Sequence, residues 1–295
     1  MVLAAGYGTR LRPLTDELPK PLVPIGDRPM LGHIAAELAR GGVERLVVNT
    51  HHLPAAFRAD ALADLGLPCE LVHEPTILGT AGGVANAASW LGAGDVLVWG
   101  GDVLCRVDLA ALHAHHRATG AAATLLATPR AAGLGTLGLD AEGCVVRLRG
   151  ERFGAELAGA DFTAVQILAE RLRRELPSAG CIVGDGYLPW LRAGRRDVRA
   201  ALLVERFDDI GDPASYLAAN LRWLGRRGVG AWVSPAASVA PGVELCRAVV
   251  GAGAVVGGSG VVCDAVVWPG ARARAPLERA IVLTSGRVVQ VPPST

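Results

Sequence analysis

Over residues 1–228 the apolar positions fall into two rhythms, and from 229 onward into a third. The run Met30 to Arg40, MLGHIAAELAR, spaces its apolar residues as one face of a helix and halts at Gly41-Gly42. Arg45 to Asn49 reads as a buried strand, Pro54 to Leu65 as a helix and Cys69 to His73 as a strand. A loop of Glu74 to Gly83 enters a helix running to Trp90, and Asp95 to Trp99 is a plain buried strand ending in Gly100-Gly101-Asp102. A further helix is expected to begin near Asp108, and Ala121 to Arg149 alternates like strands with turn glycines. Strands and helices alternating at this pace predict an α/β fold built on a doubly wound, mostly parallel sheet. Ligands bind such sheets beyond the carboxyl ends of the strands, so the loops that follow strands carry the candidate chemistry.

From Trp232 the helical rhythm stops. Val233, Val239 and Leu245 stand six apart; after a five-residue step come Val250, Val256 and Val262, and after another Val267 and Ala273. Small or apolar residues recur four places on, at Ala237, Val243, Ala254, Gly260 and Ala271. Hexads of this kind stack as flat triangular coils, each burying the apolar position of its neighbour, and the tail resembles a left-handed parallel β-helix of about three coils. The expected division is therefore a large domain over 1–228 and a hexapeptide-repeat domain over 229–295. Hexad β-helices also form acyltransferases, whose site needs a histidine general base. The last histidine here is His116, so the tail reads as a packing element that joins copies of the chain.

Charge and composition narrow the classes. A net charge of +1 without basic runs leaves no footprint for nucleic acid. Cys69, Cys105, Cys144, Cys181, Cys246 and Cys263 show neither a Cys-x-x-Cys pair nor metal-ligand spacing, which favours reduced core thiols in a cytoplasmic protein. The opening apolar run lacks the length and basic head of a signal peptide. The longest low-charge run, Ala248 to Cys263, is glycine-rich with the six-residue rhythm, so no membrane span is expected. With Met1 only two residues before Leu3, either the first strand is stubby or the chain starts a few residues short of its natural beginning. His113, His115 and His116 point to different sides of one helix, which predicts a solvated face rather than a metal site.

The stretch Leu3 to Pro24, LAAGYGTRLRPLTDELPKPLVP, carries the strongest chemistry. A glycine turn leaving a strand lets backbone N–H groups approach a phosphate chain, because no Cβ stands in the way. Arg10 and Arg12 add fixed charge, and Lys20, held between Pro19 and Pro21, is the single lysine among 29 basic residues. A chain that otherwise uses arginine has kept one compact ammonium here. The dinucleotide fingerprint is excluded, because its third glycine would fall on Leu11 and no helix start follows.

Gly6-x-Gly8-Thr9-Arg10, Leu11-x-Pro13-Leu14-Thr15 and Pro19-Lys20-Pro21 together resemble the signature of the sugar-1-phosphate nucleotidyltransferases. Leu78-Gly79-Thr80-Ala81-Gly82 is similar to the base-binding segment of that family, in the form seen in mannose-1-phosphate guanylyltransferases. The resemblance implies a Rossmann-like catalytic domain that joins a nucleoside triphosphate to a sugar 1-phosphate and releases pyrophosphate. It implies nucleotide contacts at Leu3, Ala5, Gly6, Gly8, Thr9, Gly79, Thr80, Ala81 and Gly82, with Arg10 and Lys20 as the catalytic cations. Asp102 matches the family's metal ligand in a Gly-Asp turn. Asp209, in Phe207-Asp208-Asp209-Ile210-Gly211-Asp212-Pro213, matches the second, and the cation expected is Mg²⁺. Asp208 and Asp212 are expected beside the ligand or capping the next helix, and Asp212 stands where the family usually has threonine.

Base and sugar are read less directly. Many thymidylyl and uridylyl members place glutamine near the second loop, whereas Gln166 and Gln290 both lie elsewhere. Glu74 is an acceptor-only carboxylate complementary to the N1–H and N2–H₂ donors of guanine, so it or the backbone carbonyls beside it favour GTP, a helix-dipole or solvated role for Glu74 being the alternative. Many members clamp the sugar phosphate with Glu-Lys-Pro; the matching segment here is Gly150-Glu151-Arg152-Phe153, so Gly138, Glu151 and Arg152 are the candidate sugar-phosphate residues. The alternatives are a uridylyltransferase acting on an amino-sugar 1-phosphate and a non-catalytic regulatory or scaffolding relative.

Overall fold

The structure, a computed structural model, describes residues 1–204 and 206–293. Two compact units share the chain: Met1–Gly6 with Ile34–Phe207, and Tyr7–His33 with Asp208–Thr295. Among the described residues no helix is long and apolar enough to cross a membrane.

In the first unit β1 (Val2–Leu3), β2 (Leu46–Thr50), β3 (Cys69–His73) and β4 (Val96–Gly100) form a parallel array in the order β4-β1-β2-β3. All five positions of β2 are buried, as expected for a strand covered on both faces. The sheet continues through antiparallel strands: β5 (Ala123–Arg130), β6 (Leu137–Leu139), β7 (Val145–Leu148), β8 (Glu151–Arg152) and the long β9 (Ala158–Leu168), which pairs with β4, β5 and β6. Apolar side chains of these strands, among them Val47, Val98, Leu125, Leu137 and Leu168, build the core.

Helix α1 (Met30–Arg40) buries Met30, Leu31, Ile34, Ala35 and Leu38, the stripe its spacing predicts. Its stop is steric as well as conformational: a Cβ at Gly41 would collide with the Leu109 side chain, and Gly42 has φ +82°. Helix α2 (Gly79–Asn86) follows the second loop and breaks at Ala87 before a further turn, Ala88–Leu91. The helix expected over 54–65 is instead three short turns, because Leu53 enters with φ +47° and Phe57 takes ψ 59°, which no helix propagates.

Helix α3 (Leu109–Thr119) is capped by the Asp108 carboxylate, which accepts from Ala111 N at 2.9 Å, and it ends at Gly120. The solvated reading of its histidines is corrected at His116. That ring is buried, with Nδ1 2.7 Å from Thr124 Oγ1 and Nε2 3.6 Å from Asp95. Burial lowers its pKa, partly countered by Asp95, while His113, Arg171 and Arg117 lower it further. A histidine held neutral in the fold binds more protons when unfolded. The stability tied to neutral His116 is therefore present above about pH 6.5 and is lost as pH falls below it. Thermal midpoints are expected to fall on acidification through this range, and His116→Asn, which keeps a polar partner for Thr124, is expected to flatten that slope.

In the second unit β10 (Ala231–Val233), β11 (Val243–Val250), β12 (Val255–Val267) and β13 (Arg272–Val282) stack in parallel, most positions pairing with the residue 17 further on, such as Ala231↔Ala248, Val243↔Gly260 and Val255↔Arg272. Val249, Val250, Val256, Val262, Val266 and Val267 are buried within this stack. The same register sets Cys246 opposite Cys263, and Cys246 is exposed. The expectation of core thiols thus fails at this pair, because the coil length and not local hydrophobicity decides what each cysteine faces.

Helix α4 (Pro213–Arg227) joins this stack to the opening segment. Its Asp212 and Ser215 form a reciprocal capping box, and it ends at Gly228 with φ +66°. Buried Tyr216 donates its hydroxyl to Pro24 O at 2.7 Å and accepts from Trp268 Nε1 at 2.9 Å. Asn220 Oδ1 accepts from Gly26 N at 2.9 Å, and any Cβ at Gly26 would collide with the Trp223 ring.

Candidate active site

The parallel order β4-β1-β2-β3 reverses direction of growth between β1 and β4, the position where crevices open in such sheets. Ala4–Gly6 leaves β1 and Gly101-Asp102 leaves β4 side by side, with Gly101 N donating to Leu3 O at 2.9 Å. Leu3 is half-buried, Ala4 and Ala5 are buried, and Gly6 is exposed with open space where a Cβ would stand. Asp102 is half-buried, and its Oδ1 lies 3.1 Å from the Cβ position of Gly100, which also faces Ala164 at 3.2 Å. Ala164 has φ +60° and sits in a register shift of β9 between Phe162 and Gln166. Such bulges re-aim strands near functional sites, and an alanine gives no sign of one in advance.

In the second unit, Gly8 caps the turn Thr9–Leu11 with φ +63°. A Cβ there would meet Thr15 Cγ2 at 2.8 Å and Lys20 Cβ at 3.4 Å, so Gly8 packs directly against the lysine stem. The Gly8 carbonyl accepts from Thr15 Oγ1 at 2.9 Å. Lys20 opens the turn Lys20–Leu22 and is half-exposed. The exposed Arg10 guanidinium lies over Gly211, 3.3 to 3.4 Å from where a Cβ would be. The opening turn and the Asp209–Asp212 turn therefore meet, although about two hundred residues of chain separate them. Asp209 is exposed, whereas Asp208 is buried between Arg222 at 2.8 Å and Arg226 at 3.1 Å. Asp212 has its pKa lowered by the Ser215 backbone N–H, the Ser215 hydroxyl and Arg10, as befits a cap.

The second loop is closely packed against the segment 178–182. Gly79 has φ +74° and backs onto Gly180 O, and Gly82 backs onto Ser178 O. Ala81 N donates to Gly180 O at 2.9 Å, and Thr80 Oγ1 accepts from Ile182 N at 2.8 Å. The segment 178–182 is thus part of this loop's framework, and only the fold brings it there. The guanine role for Glu74 is corrected by its surroundings. The side chain has no exposure; Oε1 accepts from Asn49 Nδ2 at 2.7 Å and Oε2 from Leu78 N at 3.0 Å, so neither oxygen is presented to a base.

Among the antiparallel strands, a cavity of about 380 Å³ is lined by Thr136, Leu137, Arg147, Arg149, Phe162 and Val183 among others. Arg147 is engaged by Glu156 at 2.8 Å and by three backbone carbonyls, and Gly138 is backed by the same pair. Glu151 is held by Arg192 at 2.9 Å, and Arg152 is exposed on β8; Gly138, Glu151 and Arg152 are absent from the cavity wall. Arg149, whose Nη2 lies 3.1 Å from Cys181 Sγ, is the cation there that sequence reading missed.

Asp102 in the first unit and Asp209 in the second each carry a carboxylate with solvent access, the hard-oxygen donor type that suits a divalent cation. Among the described residues no group of three His, Cys, Asp or Glu side chains is arranged to hold an ion unaided.

The family model described as nucleotidyl transferase matches residues 1–149. Mannose-1-phosphate guanylyltransferase of Mycobacterium tuberculosis is 32% identical over 93% of this chain and 81% of its own length. Mannose-1-phosphate guanyltransferase of Debaryomyces hansenii is 38% identical over 43% of this chain, which spans only 37% of that relative. N-acetylmuramate alpha-1-phosphate uridylyltransferase of Neisseria meningitidis serogroup B is 41% identical over 38% of this chain and 49% of its own. The crystal structure of HddC from Yersinia pseudotuberculosis complexed with GMP-PN shares the fold at a TM-score of 0.63 and 23% identity, covering 75% of this chain and 97% of that one. A glycine turn packed on its lysine, a Gly-Asp turn leaving the parallel sheet at its crevice and a near full-length likeness to a guanylyltransferase converge on one conclusion: this chain is a nucleotidyltransferase enzyme of the sugar-1-phosphate nucleotidyltransferase family.

Proposed function

We propose that this enzyme transfers a guanylyl group from GTP to mannose 1-phosphate or a similar sugar 1-phosphate. The observation that carries the choice of base and sugar is the likeness to the Mycobacterium tuberculosis guanylyltransferase, which runs through the catalytic region and the tail together. A phosphate oxygen of the sugar 1-phosphate attacks the α-phosphorus, a new P–O bond forms, and the α–β bridge breaks to release pyrophosphate. No protein nucleophile is needed, so positioning and charge neutralisation do the catalysis. The backbone of Ala5–Thr9 cradles the triphosphate, Arg10 restrains the departing pyrophosphate, and Lys20 follows the charge as the bridge breaks. Asp102 and Asp209 are the proposed holders of Mg²⁺, which when bound neutralises charge on the α-phosphate. Arg149 takes the sugar-phosphate role that the sequence alone assigned to Arg152.

The second reading, uridylyl transfer to an amino-sugar 1-phosphate, is favoured by the Neisseria relative. Pyrophosphate release measured with GTP, UTP, dTTP, ATP and CTP against a panel of sugar 1-phosphates separates the two. The highest kcat/KM is expected for GTP with mannose 1-phosphate; a maximum with UTP and an amino-sugar phosphate selects the alternative, and tight nucleotide binding without turnover selects a non-catalytic relative. The 17-residue register of the tail supports its reading as stacked coils of a parallel β-helix; that this element is left-handed and joins copies of the chain, in the cytoplasm, is part of the same proposal. A light-scattering mass of one chain at micromolar concentration would end the oligomer reading.

A further inference from the structure

Asn49 lies near the end of β2 with its side chain 2% exposed, in a position no motif singles out. Its Oδ1 accepts from Ala4 N at 2.8 Å, in the turn that leaves β1. Its Nδ2 donates to Glu74 Oε1 at 2.7 Å, and Glu74 Oε2 accepts from Leu78 N at 3.0 Å, at the entry to α2. The orientation of the carboxamide is dictated by chemistry: the Ala4 amide can only donate and a carboxylate can only accept, so Asn49 must turn its oxygen to one and its NH₂ to the other. Glu74 is fully buried, with its own N–H on Thr50 O at 2.8 Å and its carbonyl 2.7 Å from His51 Nδ1. Helix α2 is fitted to the pair as well, since a Cβ at Gly83 would lie 2.7 Å from Asn49 Nδ2 and 2.9 Å from Glu74 Oε1.

We propose that Asn49 and Glu74 are positioning residues for nucleotidyl transfer, a buried hydrogen-bond relay that ties the phosphate turn after β1 to the loop before α2. The relay rests on the reading that these two loops hold the nucleoside triphosphate. Its polarity has a purpose. The neutral amide of Asn49 gives the Ala4 turn an acceptor while keeping the carboxylate charge one side chain away from the incoming polyphosphate. A carboxylate placed directly at position 49 would satisfy Ala4 equally well and repel the substrate.

Only certain residue pairs satisfy every partner, and this yields the test. Glu74→Gln sets an NH₂ against either Asn49 Nδ2 or Leu78 N, donor facing donor; Asn49→Asp buries two carboxylates together. The double variant N49D/E74Q restores the chain. The carboxylate then at position 49 accepts from Ala4 N and from the side-chain amide then at position 74, whose carbonyl oxygen accepts from Leu78 N. Each single variant is expected to lower the thermal midpoint and raise the nucleotide KM. The double variant is expected to recover the midpoint while its nucleotide KM stays raised about tenfold, the scale of moving one charge several ångströms closer to an anion at a protein-like dielectric. Its kcat and sugar-phosphate KM are expected to stay close to wild type. Gly83→Ala, which keeps both polar side chains, is expected to raise the nucleotide KM too.

A double variant that recovers nucleotide KM together with stability reduces the pair to scaffolding and overturns the charge-placement claim. A double variant no more stable than the singles overturns the relay itself. A wild-type chain that neither binds nor turns over nucleotide is a different result, which removes the underlying reading and the proposal with it.

Discussion

Lys20→Ala is expected to cost at least about a hundredfold in kcat, the effect of deleting one preorganised contact to transition-state charge. The protein is expected to fold normally, because Lys20 is half-exposed and absent from the buried core. The Lys20 Cβ packs against Gly8, and alanine retains that contact. Lys20→Arg keeps the charge and is expected to remain impaired: a bulky planar fork cannot place one compact donor where the ammonium stood. Steady-state pyrophosphate release with thermal midpoints measured in parallel checks both. Near wild-type turnover by Lys20→Ala would dispose of the role assigned to this residue.

Asp102→Asn and Asp209→Asn are each expected to lower kcat by about a hundredfold or more and to raise the Mg²⁺ concentration needed for half-maximal rate, since an amide oxygen replaces a carboxylate as ligand. Asp208→Asn provides the contrast. Asp208 is buried between Arg222 and Arg226, so losing its charge leaves two guanidiniums facing a neutral amide. That variant is expected to lose stability without a change in metal requirement. Magnesium titrations of all three variants, together with melting curves, distinguish ligand from ion-pair anchor. A shifted metal requirement in Asp208→Asn with none in Asp209→Asn would exchange the two assignments.

Much of this molecule was legible along the chain because local spacing determines it. The stripe of α1, the strand at Cys69–His73, the helix start near Asp108, the capping aspartate Asp212 and the family signature at Gly6–Pro21 all depend on residues within a few turns of one another. What escaped was set by neighbours from elsewhere. His116 occupies a position that looks solvated on its own helix and is buried by Thr124 and Asp95. Glu74 looks like a ligand reader and is taken up by Asn49 and Leu78. Arg149 lines the cavity among the antiparallel strands, while Glu151 is paired with Arg192.

By itself the sequence determined the alternation of strands and helices and the family, since these are carried by period and by contiguous motif. Only the tertiary structure decided which polar groups are available for chemistry. A buried donor or acceptor must find a partner, and in a doubly wound sheet that partner comes from whichever strand the crossover places alongside. Availability is therefore a property of the packed sheet, and Asn49, silent in the sequence, acquires its meaning only once β1, β2 and β3 lie side by side.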